Sequence, residues 1–324
     1  MDGYDLIGDI HGHADALRGL LRGLGYRERL GGYRHPTRQA IFLGDFIDRG
    51  PGQREVLELV RAMVENGAAQ AVMGNHEFNA LAFHTPDPAE PGQYLRPHLD
   101  KNLHQHRAFL DEYETRPAAL ADVLGWFYSL PLWLDLGELR VVHACWHPQF
   151  MRALAPELDA GTRLTPKLLE AASRQDTAQF DAVETLLKGL EADLPAGVSF
   201  VDKGGVQRYR TRLRWWLPAE GESWRSMALL PDATASLLPE EALPASISSG
   251  YPTTAPPVFV GHYWLHGTPA PQADNVACLD YSVAHPAGKL AAYRWDGETL
   301  LSATKFAWID HAGNQHFGDD SAAG

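Results

Sequence analysis

Residues 40–50 read AIFLGDFIDRG. The apolar run from Ala40 to Leu43 suits a buried strand, and Gly44-Asp45 ends it with a tight departure followed by a short acid. The same grammar occurs on either side. Leu6 and Ile7 lead into Gly8-Asp9-Ile10-His11-Gly12, and Ala71 to Met73 lead into Gly74-Asn75-His76-Glu77. Between these runs, Leu17, Leu20, Leu21 and Leu24 fall at helical spacing, and Val56, Leu57, Val60 and Val64 mark a second helix. Strand, polar turn and helix recur, which predicts an α/β layer whose chemistry emerges at strand ends.

The chain has 324 residues, 45% of them hydrophobic, enough for a substantial core. Its 28 Lys plus Arg against 41 Asp plus Glu give a net charge of -13, which argues against polyanion binding by bulk charge. No zinc-finger spacing occurs, so a dedicated nucleic-acid interface is not expected. The acidic start MDGYDLIGDIHG lacks the pattern of a secretory signal, and no run of 18 or more apolar residues offers a membrane span. Cys145 and Cys278 are too few for a disulfide framework and read as free thiols, so a cytoplasmic setting is expected.

Further along, Pro86, Pro88, Pro91 and Pro97 interrupt the chain before a helical stretch from about Leu99 to Leu124. Residues 84–125 are expected to form an insertion beside the main layers. Strands are predicted over residues 132–136 and 139–142, helices over 148–194, and β-rich segments from Arg208 onward. Residues 231–257 read as a connection, and Asp296-Gly297-Glu298 as a hairpin turn between strands at 291–295 and 300–306. The expectation is one domain over residues 1–315 and a frayed tail over 316–324.

Asp9 and His11 lie one residue apart and can face one point in extended chain. With Asp45 they would hold a first metal ion; Asp45, Asn75, His143 and His262 would hold a second. Water would complete both shells, with the ions roughly 3.5–4 Å apart. Carboxylate oxygen with imidazole nitrogen suits Mn, Fe, Zn or Co better than Mg or Ca. Each group also has an ordinary alternative. Asp9, Asp45 and Asn75 could cap the following helices. His11 and His76 could be turn histidines, and His143 and His262 satisfied core histidines. The joint pattern of glycine-flanked turns and later strand-end histidines favours the metals.

GDIHG at 8–12, GDFIDRG at 44–50, GNHE at 74–77, VVHA at 141–144 and VGHY at 260–263 together resemble the calcineurin-like metallophosphoesterases. The GDFIDRG form is most similar to the phosphoprotein phosphatase branch and related bacterial phosphatases. The resemblance implies a four-layer α/β/β/α sandwich with a helical insertion, and manganese or iron, with zinc also fitting, in a two-metal site. It implies leaving-group protonation or transition-state contact by His76, with Asp48 orienting that imidazole, and a phosphate clamp at Arg49. Two positions depart from the pattern. Cys145 stands where many relatives have glycine, and Trp264 replaces the second histidine of the wider superfamily's GHxH motif, which removes one imidazole from the first metal.

The expected activity is metal-dependent hydrolysis of a phosphomonoester, with phosphoserine or phosphothreonine of a protein, or a small phosphoester, as substrate. The enzymatic alternative is a symmetrical dinucleoside polyphosphate hydrolase, for which Tyr94, Trp126 and Trp133 could offer stacking surfaces, although core or insertion packing is favoured for each. A non-catalytic binding module stapled by metals is a third reading. Arg208, Arg210, Arg212 and Arg214 alternate along a predicted strand, where a solvated face is favoured over phosphate contact.

Overall fold

A computed structural model describes residues 2–29, 31–201, 207–230, 232–244, 247 and 250–318. The repeated grammar of the first eighty residues becomes strands β1 (Gly3–Ile7), β2 (Arg38–Phe42) and β3 (Ala69–Ala71), each followed by a helix: α1 (Ala14–Gly23), α2 (Gln53–Glu65) and α3 (Asn75–His84). These three strands run parallel. Two more helices follow, α4 (Asp100–Tyr113) and α5 (Pro117–Tyr128), and the break between them falls at Pro117, which suits a first helical turn.

Strands β4 (Trp133–Asp135) and β5 (Arg140–Val142) pair antiparallel across Gly137. Helices α6 (Pro148–Leu154), α7 (Pro166–Ala172) and α8 (Ala178–Lys188) precede β6 (Val258–Val260) and β7 (Val276–Cys278). The order β7-β6-β5-β4 makes a four-stranded sheet. The last strands are β8 (Asp280–Tyr281), β9 (Lys289–Trp295), β10 (Phe306–Asp310) and β11 (Gln315–Phe317). They complete a seven-stranded sheet ordered β11-β10-β9-β1-β2-β3, with β8 also paired to β9.

Alternation along the strands builds the layers. Leu6, Ile41, Val141, Phe259, Ala277, Ala291 and Tyr293 share one buried cluster between the sheets. Their neighbours Ile7, Phe42, Val142, Val258, Val260, Cys278 and Ala292 instead join the cluster that contains Leu17 and Leu21 of α1, Val60 of α2, Met151 of α6 and Leu186 of α8. One residue faces the other sheet and the next faces helices, the arrangement of an α/β/β/α sandwich. Among the described residues, no helix is long and apolar enough to cross a membrane.

Two expectations change. Residues 300–305 are not in the strand, which begins only at Phe306: Tyr293 pairs with Phe306, so a longer connection replaces the tight hairpin. Trp295 Nε1 donates to Glu298 O, and Ser302 Oγ accepts from Thr304 N, which gives the connection its own local order. His316 and Phe317, expected in the frayed tail, lie in β11 against β10, while residues 319–324 of that tail lie outside the described residues. The arginine-rich stretch forms short ladders outside the two large sheets. Arg210 and Arg212 pair with Asp193 and Glu191, the opposing strand's acids, in line with a solvated face. Of the 231–257 connection, residues 231, 245, 246, 248 and 249 also lie outside the description.

Candidate metal centre

The ends of β1, β2, β3, β5 and β6 carry Asp9, Asp45, Asn75, His143 and His262 to one buried place. Asp45 Oδ2 lies 3.3 Å from His143 Nε2, 3.8 Å from His11 Nε2 and 3.9 Å from His76 Nε2. Asn75 Oδ1 lies 3.1 Å from His143 Nε2 and 2.7 Å from His262 Nδ1. Asp9 Oδ2 accepts the His262 backbone N–H at 3.0 Å. Two groups could each hold a metal ion, His11 with Asp45 and His76, and Asp45 with His143 and His262, sharing Asp45. His76 Nε2 is close enough to count geometrically with the first group, and Asp9, outside both groups, keeps Oδ1 buried and without a hydrogen-bond partner among the described residues.

None of Asp9, Asp45 and Asn75 caps the helix that follows it: α1 and α2 have His13 and Gly52 as N-caps, with no side-chain cap bond. Asp45 Oδ1 accepts the His76 N–H at 2.9 Å in the first turn of α3, which leaves Oδ2 to the histidines. Asn75 turns its oxygen toward His143 and His262, and Asp9 bonds His262, so neither caps its own helix.

The donor set fits cations. His11 Nδ1 faces Ile47 O at 2.8 Å and His143 Nδ1 faces Leu43 O at 2.7 Å. A carbonyl only accepts, so each Nδ1 carries a proton and each Nε2 is the atom turned to the centre. Among the described residues, Asp9 Oδ1, His11 Nε2 and His262 Nε2 are buried without a hydrogen-bond partner. Such groups are costly unless something of opposite character meets them. Burial, then His76 and Arg49, push His11 down to about 3, which keeps it a neutral donor. Burial also works to lower His143, yet Asp45 carries it up to about 10, so a cation taken up there displaces a proton.

Backbone geometry is specialised here as well. Among the described residues, six of the nine non-glycine residues with positive φ are His11, Asp45, Asp48, Arg49, His262 and Trp264. Each costs on the order of 1–3 kcal/mol, and such residues gather at functional sites. A Cβ on Gly74 would come 2.2 Å from Asp45 Oδ1, and one on Gly261 2.0 Å from Asp9 Oδ1. Glycine is needed at both because the carboxylates lie against the backbone.

Beside the centre, Asp48 Oδ2 meets His76 Nδ1 at 2.5 Å, and Asp48 Oδ1 meets His106 Nδ1 at 2.8 Å. Burial alone would raise the Asp48 carboxyl, but hydrogen bonds from His106 and His76 hold it below the ordinary range. Asp45 and Asp48 raise His76 against its burial. The Arg49 guanidinium lies 3.8 Å over the Trp264 ring, so the residue that replaces a histidine carries a cation–π contact. Tyr94 stacks on His98, Trp126 is buried near Phe46, and Trp133 packs at the edge of the core, so all three are engaged in packing. Cys145 and Cys278 are both free and buried.

Four groups beside these residues were not singled out from sequence. Glu77, inside the GNHE motif, accepts N–H groups of Asp45, Phe46 and Gly74 at 2.8–3.0 Å and ties two turns together. Gln53 accepts the Asp48 N–H at 2.6 Å. Asp280 accepts N–H groups of Trp264 and Ser282 at 2.8 and 2.9 Å. His106 comes from α4, where its signal was legible in principle: Asn102, His106, Phe109, Leu110 and Tyr113 form the buried helical face, with two polar members.

The sequence profile of the family described as calcineurin-like phosphoesterase matches residues 5–147. Over 74 residues the chain is 47% identical to the asymmetrical bis(5'-nucleosyl)-tetraphosphatase PrpE of Halalkalibacterium halodurans, covering 22% of this chain and 30% of that protein. Over 310 residues it is 27% identical to the symmetrical bis(5'-nucleosyl)-tetraphosphatase of Klebsiella pneumoniae, covering 92% of this chain and 93% of that one. A solved cold-active protein tyrosine phosphatase superposes with a TM-score of 0.51 at 17% identity, over 98% of this chain and 78% of its own, a likeness of fold. The chain therefore resembles the calcineurin-like phosphoesterases over residues 5–147, shares its overall fold with the superposed structure, and spans about a third of the length of the PrpE protein it matches.

Proposed function

We propose that this chain hydrolyses a phosphoanhydride bond of a dinucleoside polyphosphate. The observation that carries this reading is the end-to-end likeness to the Klebsiella symmetrical tetraphosphatase, over 92% of this chain and 93% of that one. Asp9, His11 and Asp45 would hold one cation, and Asp45, Asn75, His143 and His262 the other. Manganese and iron suit these donors, with zinc the alternative. Bound divalent cations supply Lewis acidity toward phosphoryl oxygens and acidify water near neutral pH.

The chain's own groups do the rest. Arg49 offers a planar donor fork to a phosphoryl oxygen, steadied by Trp264 at 3.8 Å. His76 keeps Nδ1 on Asp48 at 2.5 Å and presents Nε2 to the departing oxygen. The strand-end turns hold these groups before substrate arrives, so little reorganisation accompanies the reaction. Two free buried thiols agree with action in the cytoplasm.

A phosphomonoesterase, with phosphoserine or phosphothreonine as substrate, is the second reading, and one observation favours it. A phosphate leaving group ionises near neutral pH and needs little protonation, whereas an alkoxide needs the His76–Asp48 pair. Turnover of the manganese-loaded protein with diadenosine tetraphosphate, phosphopeptides and small phosphate esters separates the two. The proposal expects diadenosine tetraphosphate to be turned over fastest and to give two molecules of ADP. Faster turnover of phosphopeptides establishes the second reading. Products AMP and ATP overturn symmetrical cleavage.

A further inference from the structure

The Asp48 carboxylate has two imidazole partners, and only one belongs to the motifs that carry the chemistry. His76 takes Oδ2 at 2.5 Å, and His106 takes Oδ1 at 2.8 Å. His106 is 5% exposed and is carried by α4, within the segment expected as an insertion. Its ring stacks on Phe109, with centroids 4.7 Å apart and planes 20° apart, and Phe83 lies at 5.1 Å. Six residues further along α4, Glu112 accepts the backbone N–H groups of Gln53 and Arg54 at 2.9 and 3.0 Å. The N-cap of α2 is Gly52, which has no side chain to offer, so α4 supplies the missing acceptor. Helix α4 thus docks on α2 through Glu112 and delivers His106 from its buried face to Asp48.

Asp48 sits at φ 68 in a turn of positive-φ residues, with its backbone N–H held by Gln53, and its carboxylate is oriented by its side-chain partners. A carboxylate bonded at one oxygen can rotate about its Cβ–Cγ bond. Bonded at both, it holds its plane and with it the imidazole of His76. We propose that His106 is a positioning residue for leaving-group protonation: it fixes Asp48 so that His76 keeps its proton on Nδ1 and aims Nε2 at the departing oxygen. This rests on the phosphoesterase reading and bears most on poor leaving groups, which need the proton. His106 touches no reacting atom.

The test compares wild type, His106→Leu and His106→Asn, all manganese-loaded, on phenyl phosphate and p-nitrophenyl phosphate. Phenolate is the poorer leaving group and needs the acid more. His106→Leu should lower kcat about 10–100-fold on phenyl phosphate but under about threefold on the nitrophenyl ester, with KM within about twofold. His106→Asn keeps an N–H near the position of ring Nδ1 and should recover most of the loss. Ring 15N NMR of the metal-free protein gives a second readout: His76 should lose its single Nδ1–H tautomer in His106→Leu and keep it in His106→Asn. Equal losses on both esters, an unchanged kcat in His106→Leu, or failure of His106→Asn to recover it overturns the proposal. Should His106→Leu not fold, His106→Gln, whose amide reaches too far, replaces it with the same expectations. If wild type turns over neither ester, the ring NMR alone decides the role of His106, and turnover of diadenosine tetraphosphate separately decides the phosphoesterase reading.

Discussion

The first strand has a buried acid within it and another just past its far end, and the two live in opposite circumstances. Asp5 accepts from Tyr26 Oη at 3.0 Å, from Arg38 Nε at 3.0 and 3.1 Å, and from Arg294 Nε at 3.2 Å. Arg38 in turn donates to Tyr4 O, Trp295 O and Asp296. All three of Asp5, Arg38 and Arg294 lie in regular strands. Asp9, four residues later, keeps one oxygen without a partner and faces Asp45 and Asp280. Its surroundings include six residues at positive φ. Burial and these like charges raise Asp9 well above the ordinary carboxylate range. Burial of charge by itself therefore does not mark a site. A site is marked by charge that the fold gathers without completing, on backbone held in costly conformations.

The largest expected effect lies at the centre. Asp45→Asn should lower kcat by more than the 10–100-fold typical of residues behind a ligand, because Asp45 is common to both groups of donors. Elemental analysis should show loss of bound metal, and unchanged two-metal stoichiometry would remove Asp45 from its bridging role. Asp5→Asn should behave in the opposite way. Removing one partner of a buried ion pair costs about 3–5 kcal/mol, read as a lower denaturant midpoint, with kcat nearly unchanged. A catalytic loss in Asp5→Asn as large as that in Asp45→Asn would dissolve the contrast between the two clusters.

Metal removal sharpens the same contrast. A cation at 100 times its Kd adds about 2.7 kcal/mol to a fold that alone binds it. Chelation should therefore lower the melting temperature of wild type and Asp5→Asn by similar amounts and leave Asp45→Asn little changed. Equal sensitivity in all three proteins would mean that the ion binds outside the strand-end cluster.

The strand-end cluster was legible in sequence because every member sits in a short motif directly after an apolar run, where glycine announces a turn. Asp9, Asp45 and Asn75 each follow such a glycine, and the histidines of VVHA and VGHY follow β5 and β6. The sandwich itself was not legible from periodicity and came from the resemblance. Long-range pairings were hidden for a physical reason. Asp5 meets partners 33 and 289 residues away, and His106 meets Asp48 across 58 residues, with no local pattern to join them. The hairpin expected at Asp296-Gly297-Glu298 failed similarly. Turn residues were present, but cross-strand pairing of Tyr293 with Phe306 set the register and left the intervening residues to a longer connection.

The smallest effect tests the rim of the centre, where the chain departs from its resemblance. Trp264 is 43% exposed, yet Arg49 packs its guanidinium on the ring. An exposed cation–π contact is worth about 0.5–1 kcal/mol, so Trp264→Leu should raise KM about 2–5-fold through a less ordered Arg49. Leucine at φ 52 is as strained as tryptophan, so the backbone contribution largely cancels and the ring is what the comparison measures. Trp264→Phe keeps a ring face and should fall between the two. Arg49→Lys loses the planar fork that grips a phosphoryl oxygen in two places, and its KM should rise further than in either tryptophan variant. If Trp264→Leu lowered kcat as much as Asp45→Asn does, the tryptophan would belong to the reacting centre and not to its edge.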